Sequence, residues 1–422
     1  MENFVIQGGE RLTGKVRING AKNSILPILA ASLLTSEEVQ LDDVPDISDV
    51  KVKLNILECL GVKISQEKGR LILNPGSLCT SEIPEELMCE MRSSIFLMGP
   101  LLGRMGKVKV SYPGGCAIGP RPIDLHLKGL ISMGAKVVEK NGYVYAEAES
   151  LKGSNIHLDF PSVGATENLM MAAIFAQGST QLYNAAKEPE IVDLQNFLNN
   201  MGAAVKGAGT DTIKIEGVKT LNRVNYRLIP DRIAAGTMLI AAGITGGEIT
   251  LENVIPEHLE AVTAKLREAG LQIWEDADKI HVQGGKIKAV NSVRTLPYPG
   301  FPTDMQAQTM ALLSLADGAS VITENVFEGR FSHIDELIKM GAQISVEGRC
   351  AVIKGIDKLT GAVVKSPDLR AGAALVLAGL AAEGTTVVEE IHHIDRGYER
   401  LEEILQKLGA KIERVHAPVV NV

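Results

Sequence analysis

Residues 57–64 read Leu-Glu-Cys-Leu-Gly-Val-Lys-Ile, and the frame of Leu, three residues, Gly, then a branched residue three positions on returns five more times. The further copies are LISMGAKV (130–137), LNNMGAAV (198–205), LREAGLQI (266–273), LIKMGAQI (337–344) and LQKLGAKI (405–412). Their glycines, Gly61, Gly134, Gly202, Gly270, Gly341 and Gly409, stand 73, 68, 68, 71 and 68 residues apart. One such match carries no weight; six at a near-constant interval mark an internal repeat. Each copy has a local mechanism. The Leu ends the buried face of an amphipathic helix, the Gly takes a left-handed C-cap that a β-carbon would penalise, and the branched residue starts a strand.

Working outward, each copy is preceded by an Ala-rich segment that is apolar nearly all round, such as KNSILPILAASLL (22–34), DRIAAGTMLIAAGITG (231–246) and PDLRAGAALVLAGLAAEG (367–384). Such helices have no polar face to give to water, so they are expected at the centre. A short strand follows each, as in EITLENV (248–254) and SVITENV (320–326), then a loop and the second helix. A hairpin is expected to close each unit, as in 144–160 and 351–366. The chain ends soon after the sixth Gly and begins with FVIQGGERLTGKVRI (4–18), which reads as the hairpin missing from that end. The expectation is an α/β protein of two domains, each of three repeated βαβαββ-like units around buried helices. One domain spans 22–228; the other joins 1–21 to 229–422. With no low-complexity linker at the joins, the crossings should be short and hinge-like. The interdomain cleft is the expected place for a ligand.

Composition narrows the function. Of 422 residues, 45% are hydrophobic and 22% charged, with a net charge of −8. That is ordinary globular composition, and neither the acidic balance nor 4% aromatic content suits a nucleic-acid binder. No apolar run is long enough to span a bilayer, and no secretory leader is visible, so a cytoplasmic setting without membrane attachment is expected. Five cysteines without C-x-x-C spacing suggest neither a disulfide framework nor a zinc site. Cys59, Cys79, Cys89 and Cys350 read as small buried hydrophobes. Cys116 differs, lying in the Gly- and Pro-rich stretch YPGGCAIGPRPIDLH (112–126), close to Arg121, Asp124 and His126. A functional thiol there competes with a plain buried one, and His126 reads equally as an acid–base group or a capping one.

The central helices start with polar or small residues: Lys22 and Asn23; Arg92, Ser93 and Ser94; Ser162, Gly164 and Thr166; Asp231 and Arg232; Thr303 and Asp304; Asp368 and Arg370. Ser, Thr, Asp and Asn can cap a helix. Lys22, Arg92, Arg232 and Arg370 cannot, because a cation there opposes the helix dipole. Each needs a carboxylate or a bound anion. The loops after the next strand add Glu188, Glu190, Glu328, Arg330 and Arg396.

Taken together, NGAKNSILPILAASLL, PGGCAIGPRPIDLHLKGL, YPGFPTDMQAQ, SPDLRAGAAL and HIDRGYE make the chain similar, over essentially its whole length, to the UDP-N-acetylglucosamine 1-carboxyvinyltransferases, the MurA-type enolpyruvyl transferases of the EPSP synthase superfamily. The resemblance implies the inside-out α/β barrel fold. It implies transfer of the enolpyruvyl group of phosphoenolpyruvate to the 3-hydroxyl of UDP-N-acetylglucosamine, the first committed step of peptidoglycan precursor synthesis, with neither metal nor organic cofactor. By matching motif it places Lys22, Asn23, Arg121, Arg370 and Arg396 toward phosphoenolpyruvate. It places Arg92, Arg121, Pro122, Ile123, Asp124, Leu125, Ser162, Val163, Gly164, Asp304 and Val326 toward the UDP-sugar. Arg330 and Asp368 join the substrate-facing set. Cys116 matches the family's proton donor, the thiol alkylated by the epoxide fosfomycin, and Asp304 the proposed base; Lys22 and Arg396 complete the expected catalytic group. Phe160 departs from the pattern, since some members carry Lys there. The alternatives are 3-phosphoshikimate 1-carboxyvinyltransferase, against which NGAKNS stands in place of an S-K-S-x-x-x-R start, and a silent repeat scaffold.

Overall fold

The structure, a computed structural model, describes residues 2–67, 69–90, 92–112 and 123–416, with the backbone alone at Cys89, Glu90, Arg92 and Ser93. The described chain divides into two compact units, residues 20–112 with 123–229, and residues 2–19 with 230–416. The chain crosses between them within Asn19–Gly20 and Ile229–Pro230.

All six repeat glycines terminate a helix in the same way. Their φ angles lie between 93° and 102°. The residue after each Gly sends its N–H back to the carbonyl of the repeat Leu, and the Gly N–H goes to the residue following that Leu. In the first copy these are Val62 to Leu57 at 3.0 Å and Gly61 to Glu58 at 2.9 Å; in the last, Ala410 to Leu405 and Gly409 to Gln406, both 2.9 Å. Such crossed bonds satisfy carbonyls that a helix end would otherwise leave bare. Each repeat Leu is buried. The strand then starts within two residues of the Gly, as in Lys63–Glu67 and Lys136–Lys140.

Each sheet is assembled to one plan. In the first five repeats the strand following a central helix lies beside the second arm of the hairpin that opens after the repeat Gly, and in the sixth Glu2–Gln7 takes the place of that arm. On its other side the strand following the helix receives one from another repeat, paired parallel. One sheet runs Val224–Arg227, Val39–Asp42, Arg70–Asn74, Lys63–Glu67; another runs Val293–Arg294, Ala319–Thr323, Cys350–Lys354, Gln343–Glu347. In the sheet of Lys107–Ser111 the received strand is reduced to a single bridge between Glu82 and Lys109.

The expected closing hairpins are therefore corrected. Tyr143–Glu147 stays antiparallel to Lys107–Ser111, whereas Asn155–His157 leaves to pair with Ser179–Tyr183. Cys350–Lys354 and Val363–Lys365 part likewise. At the N-terminus, Glu2–Gln7 enters the sheet between Thr385–Glu389 and Lys411–His416, while Thr13–Arg17 joins Glu248–Glu252. Pairing across to the neighbouring sheet covers an edge that a local hairpin would leave bare.

The central helices are buried as their composition demands. Arg232–Thr245, Gln306–Leu313 and Leu369–Ala381 touch one another, and every residue from Arg370 to Leu380 is buried. In the other unit Met98–Met105 packs on Val163–Ala173 so closely that a β-carbon at Gly99 would stand 2.2 Å from the Asn168 carbonyl oxygen. The Gly99 N–H instead donates to Asn168 Oδ1 at 2.7 Å. No described helix is long and apolar enough to cross a membrane.

Candidate active site

In the unit of residues 20–229, Lys22 is the first residue of the helix Lys22–Ala31, which has no side-chain cap. The anion its position requires is Asp49, whose Oδ2 lies 2.9 Å from Lys22 Nζ, with both side chains buried. Asp49 sits in the first turn of Ser48–Cys59, where its charge suits the dipole. Asn23 is half-buried, and Ser24 turns inward to donate to Asp193. Burial pushes the Asp193 carboxyl up, against the bonds from Ser24 and Tyr226.

Ser162 caps Val163–Ala173 by accepting from the Ala165 N–H at 3.3 Å. Val163 and Gly164 follow, half-buried; a β-carbon on Gly164 would stand 2.9 Å from the Phe96 ring. Ile123 is buried ahead of Asp124–Ser132, with Asp124 exposed and Leu125 half-buried. Arg92 opens the turn Arg92–Leu97. Its side chain, and all of Cys116, Arg121 and Pro122, lie outside the described residues.

In the other unit Asp304 lies in the first turn of Thr303–Met305, after Pro302 at the N-cap position. Its Oδ1 takes Arg330 Nη2 at 2.8 Å, and its Oδ2 takes Arg370 Nη2 at 3.0 Å and Nε at 3.3 Å. The two guanidinium side chains are 5% and 3% exposed, against 25% for the carboxylate. Burial draws the Arg370 guanidinium down, but Asp304, Tyr398 and Asp231 together raise it above its ordinary value. The Tyr398 ring lies 5.4 Å from the Arg370 guanidinium carbon, and its hydroxyl meets Thr237 Oγ1 at 2.9 Å. Asp368 caps its helix, accepting from the Arg370 and Ala371 N–H groups at 2.8 and 3.0 Å. Asp231 caps Arg232–Thr245 in the same manner. The Arg232 guanidinium lies over the Tyr298 ring, and Arg396 ends the turn Ile391–Arg396, half-buried.

Several side chains answer questions left open above. His126 is buried, with its Nδ1 accepting from the Asn168 amide at 3.1 Å. Cys59 and Cys79 are exposed, a correction. On Ser48–Cys59 the buried stripe is Lys53, Ile56 and Leu57, leading to Leu60, and Cys59 lies off it. Phe160 is exposed. His333 escaped the sequence reading; burial pulls its imidazole down to about 4, Asp368 opposing and Arg330 assisting. Glu324 escaped it too: a buried carboxylate at the end of Ala319–Thr323 that accepts the Val326 N–H at 2.8 Å. The signal for Glu324 was an acid continuing an apolar strand, which is rarely free to face water.

The EPSP synthase (3-phosphoshikimate 1-carboxyvinyltransferase) family model matches residues 6–405. UDP-N-acetylglucosamine 1-carboxyvinyltransferase 2 of Carboxydothermus hydrogenoformans is 57% identical over 98% of this chain and 100% of its own. UDP-N-acetylglucosamine 1-carboxyvinyltransferase 1 of Caldanaerobacter subterraneus is 56% identical over 97% and 99%. Among solved structures, the enolpyruvyl transferase NikO from Streptomyces tendae superposes with a TM-score of 0.89 at 26% identity, covering 99% of each chain. An EPSP synthase from Acinetobacter baumannii, at 20% identity and a TM-score of 0.78 over 99% of this chain and 100% of that one, shares the fold. The chain belongs to the EPSP synthase family and, within it, to the UDP-N-acetylglucosamine 1-carboxyvinyltransferases.

Proposed function

We propose that this enzyme transfers the enolpyruvyl group of phosphoenolpyruvate to the 3-hydroxyl of UDP-N-acetylglucosamine and releases phosphate, supplying a precursor of peptidoglycan. The observation that carries the acceptor is full-length identity of 57% to a relative named for that sugar nucleotide. The chemistry is supported by Asp304, a partly exposed carboxylate held by two buried arginines. Asp304 takes the hydroxyl proton as the sugar oxygen bonds to the central carbon of phosphoenolpyruvate, while Cys116 protonates the methylene carbon. The carbon–phosphate oxygen bond then breaks, the new methyl group returns a proton, and the hydroxyl proton ends on the departing phosphate. Oδ1 takes one arginine bond where Oδ2 takes two, and the partial exposure of the carboxylate gives a hydroxyl access to it.

Lys22, Asn23, Arg121, Arg370 and Arg396 serve the carboxylate and phosphate, where guanidinium forks and a compact ammonium suit the two anions. Each unit is read as an inside-out α/β barrel. Lys22 and Arg370 already carry carboxylate partners, so substrate anions must compete with Asp49 and Asp304 or share with them. Phosphate release is measured with phosphoenolpyruvate and either UDP-N-acetylglucosamine or shikimate 3-phosphate. Turnover with the sugar nucleotide alone is expected; turnover with shikimate 3-phosphate alone would replace this reading with the other carboxyvinyl transfer, and turnover with neither would leave a binding scaffold.

A further inference from the structure

Glu324 is 1% exposed and receives four hydrogen bonds. Its Oε1 accepts from Thr295 Oγ1 at 2.7 Å and from the backbone N–H groups of Val326 and Phe327 at 2.8 and 3.1 Å. Its Oε2 accepts from Thr303 Oγ1 at 2.9 Å. Thr303 has one hydroxyl proton, and Glu324 takes it. The Thr303 oxygen then presents lone pairs to Arg330, whose Nη1 donates to it at 2.9 Å. The other arm of the Arg330 fork, Nη2, reaches Asp304 Oδ1 at 2.8 Å. The Phe327 ring, 5.5 Å from the Arg330 guanidinium carbon, adds a second restraint on the fork. A donor at the Oε2 position, such as an amide nitrogen, would turn the Thr303 proton toward Arg330, where donor would face donor.

From this arrangement, and resting on the functional reading above, we infer that Glu324 is a positioning residue with two separable arms. One arm fixes the backbone at Val326 and Phe327, where the sugar nucleotide is expected to contact Val326. The other runs through Thr303 and Arg330 to one oxygen of Asp304 and so orients the base. A carboxylate suits both arms because it is an acceptor on every lone pair; an amide offers one oxygen only.

The test compares Glu324→Gln, Thr303→Val and Thr295→Val in the full chain by two readouts. Amide hydrogen exchange is followed at Val326 and Phe327 without substrates, and phosphate release is followed with phosphoenolpyruvate and UDP-N-acetylglucosamine. Glu324→Gln is expected to speed exchange at both amides and to lower kcat roughly 10- to 100-fold, the scale of a misplaced catalytic group. Thr303→Val should lower kcat on that scale with the KM for UDP-N-acetylglucosamine nearly unchanged; Thr295→Val should raise that KM and spare kcat. Wild-type kcat in Thr303→Val, or wild-type exchange in Glu324→Gln, would overturn the inference. If Glu324→Gln does not fold, the split between the two threonine variants decides. A wild-type chain without turnover would sink the functional reading instead, and exchange would still judge whether Glu324 holds the loop.

Discussion

Asp304→Ala would remove the anion that separates two guanidinium groups, 5% and 3% exposed. Truncating one partner of a fully buried ion pair costs about 3–5 kcal/mol. Asp304 itself is 25% exposed, so water and solution anions reach the vacancy, and a cost of about 2–3 kcal/mol is expected. In a unit of this size each kcal/mol moves Tm by about 2–4 °C, so the unit should melt ~4–12 °C lower. Loss of a mere helix cap would cost about 1 kcal/mol and spare the chemistry. Turnover should fall by orders of magnitude, because Asp304, bonded to both Arg330 and Arg370, is the proposed base. The vacancy has the charge and size for a small carboxylate, so formate should restore part of the lost stability, and chloride less of it. Calorimetry with and without formate, alongside phosphate release, reads all of this. A Tm within about 1 °C of wild type, or a loss that formate leaves untouched, would refute the reasoning.

Three further outcomes are expected. The buried His333 imidazole is pulled to about 4 against 6.5 when unfolded. The unfolded chain therefore binds a proton that the folded one refuses, and stability present above pH 6.5 is lost as pH falls toward 4. The loss is about 3 kcal/mol, and His333→Leu should flatten that slope in urea titrations; an unchanged slope would place the acid sensitivity elsewhere. Gly134→Ala should cost roughly 1–2 kcal/mol, since φ is 93° and nothing stands within 4 Å of the added carbon. Gly61→Ala should cost more, because its added carbon would meet the Ser77 carbonyl oxygen at 2.6 Å; equal losses would show that packing at Gly61 yields freely. At Cys116, Asp in place of Cys should keep turnover and resist fosfomycin, while Ser should be poor, a hydroxyl being too weak an acid. Peptide mapping must find the adduct there rather than on the exposed Cys59 or Cys79.

Local features were legible in the chain and pairings were not. The Leu-to-Gly spacing announces each helix end, because the crossed bonds that form it span six residues and need nothing else. The central helices were legible from composition, since a segment without a polar face has nowhere to go but inward. Where Asn155–His157 or Thr13–Arg17 would pair was not, because two apolar runs around a Gly-containing loop look alike whether they pair with each other or with different neighbours. The same division holds in the site. Arg370 stood out as a cation in want of an anion and Arg330 as a loop residue of the repeat, but their meeting on Asp304, across 66 and 26 positions of sequence, is a product of the fold. Asp49 and Glu324 read as ordinary polar residues, one at a helix start and one at a strand end. Only burial beside Lys22 and beneath Thr303 gives them a task.

The most direct test of the account is the mass spectrum of the product formed from phosphoenolpyruvate and UDP-N-acetylglucosamine in deuterated water. The account predicts a species equal to the two substrates less phosphate, with deuterium in its vinyl methylene, because that carbon is protonated and then deprotonated. A product of that mass free of deuterium would contradict the addition–elimination sequence, and no such product from active protein would contradict the assignment itself.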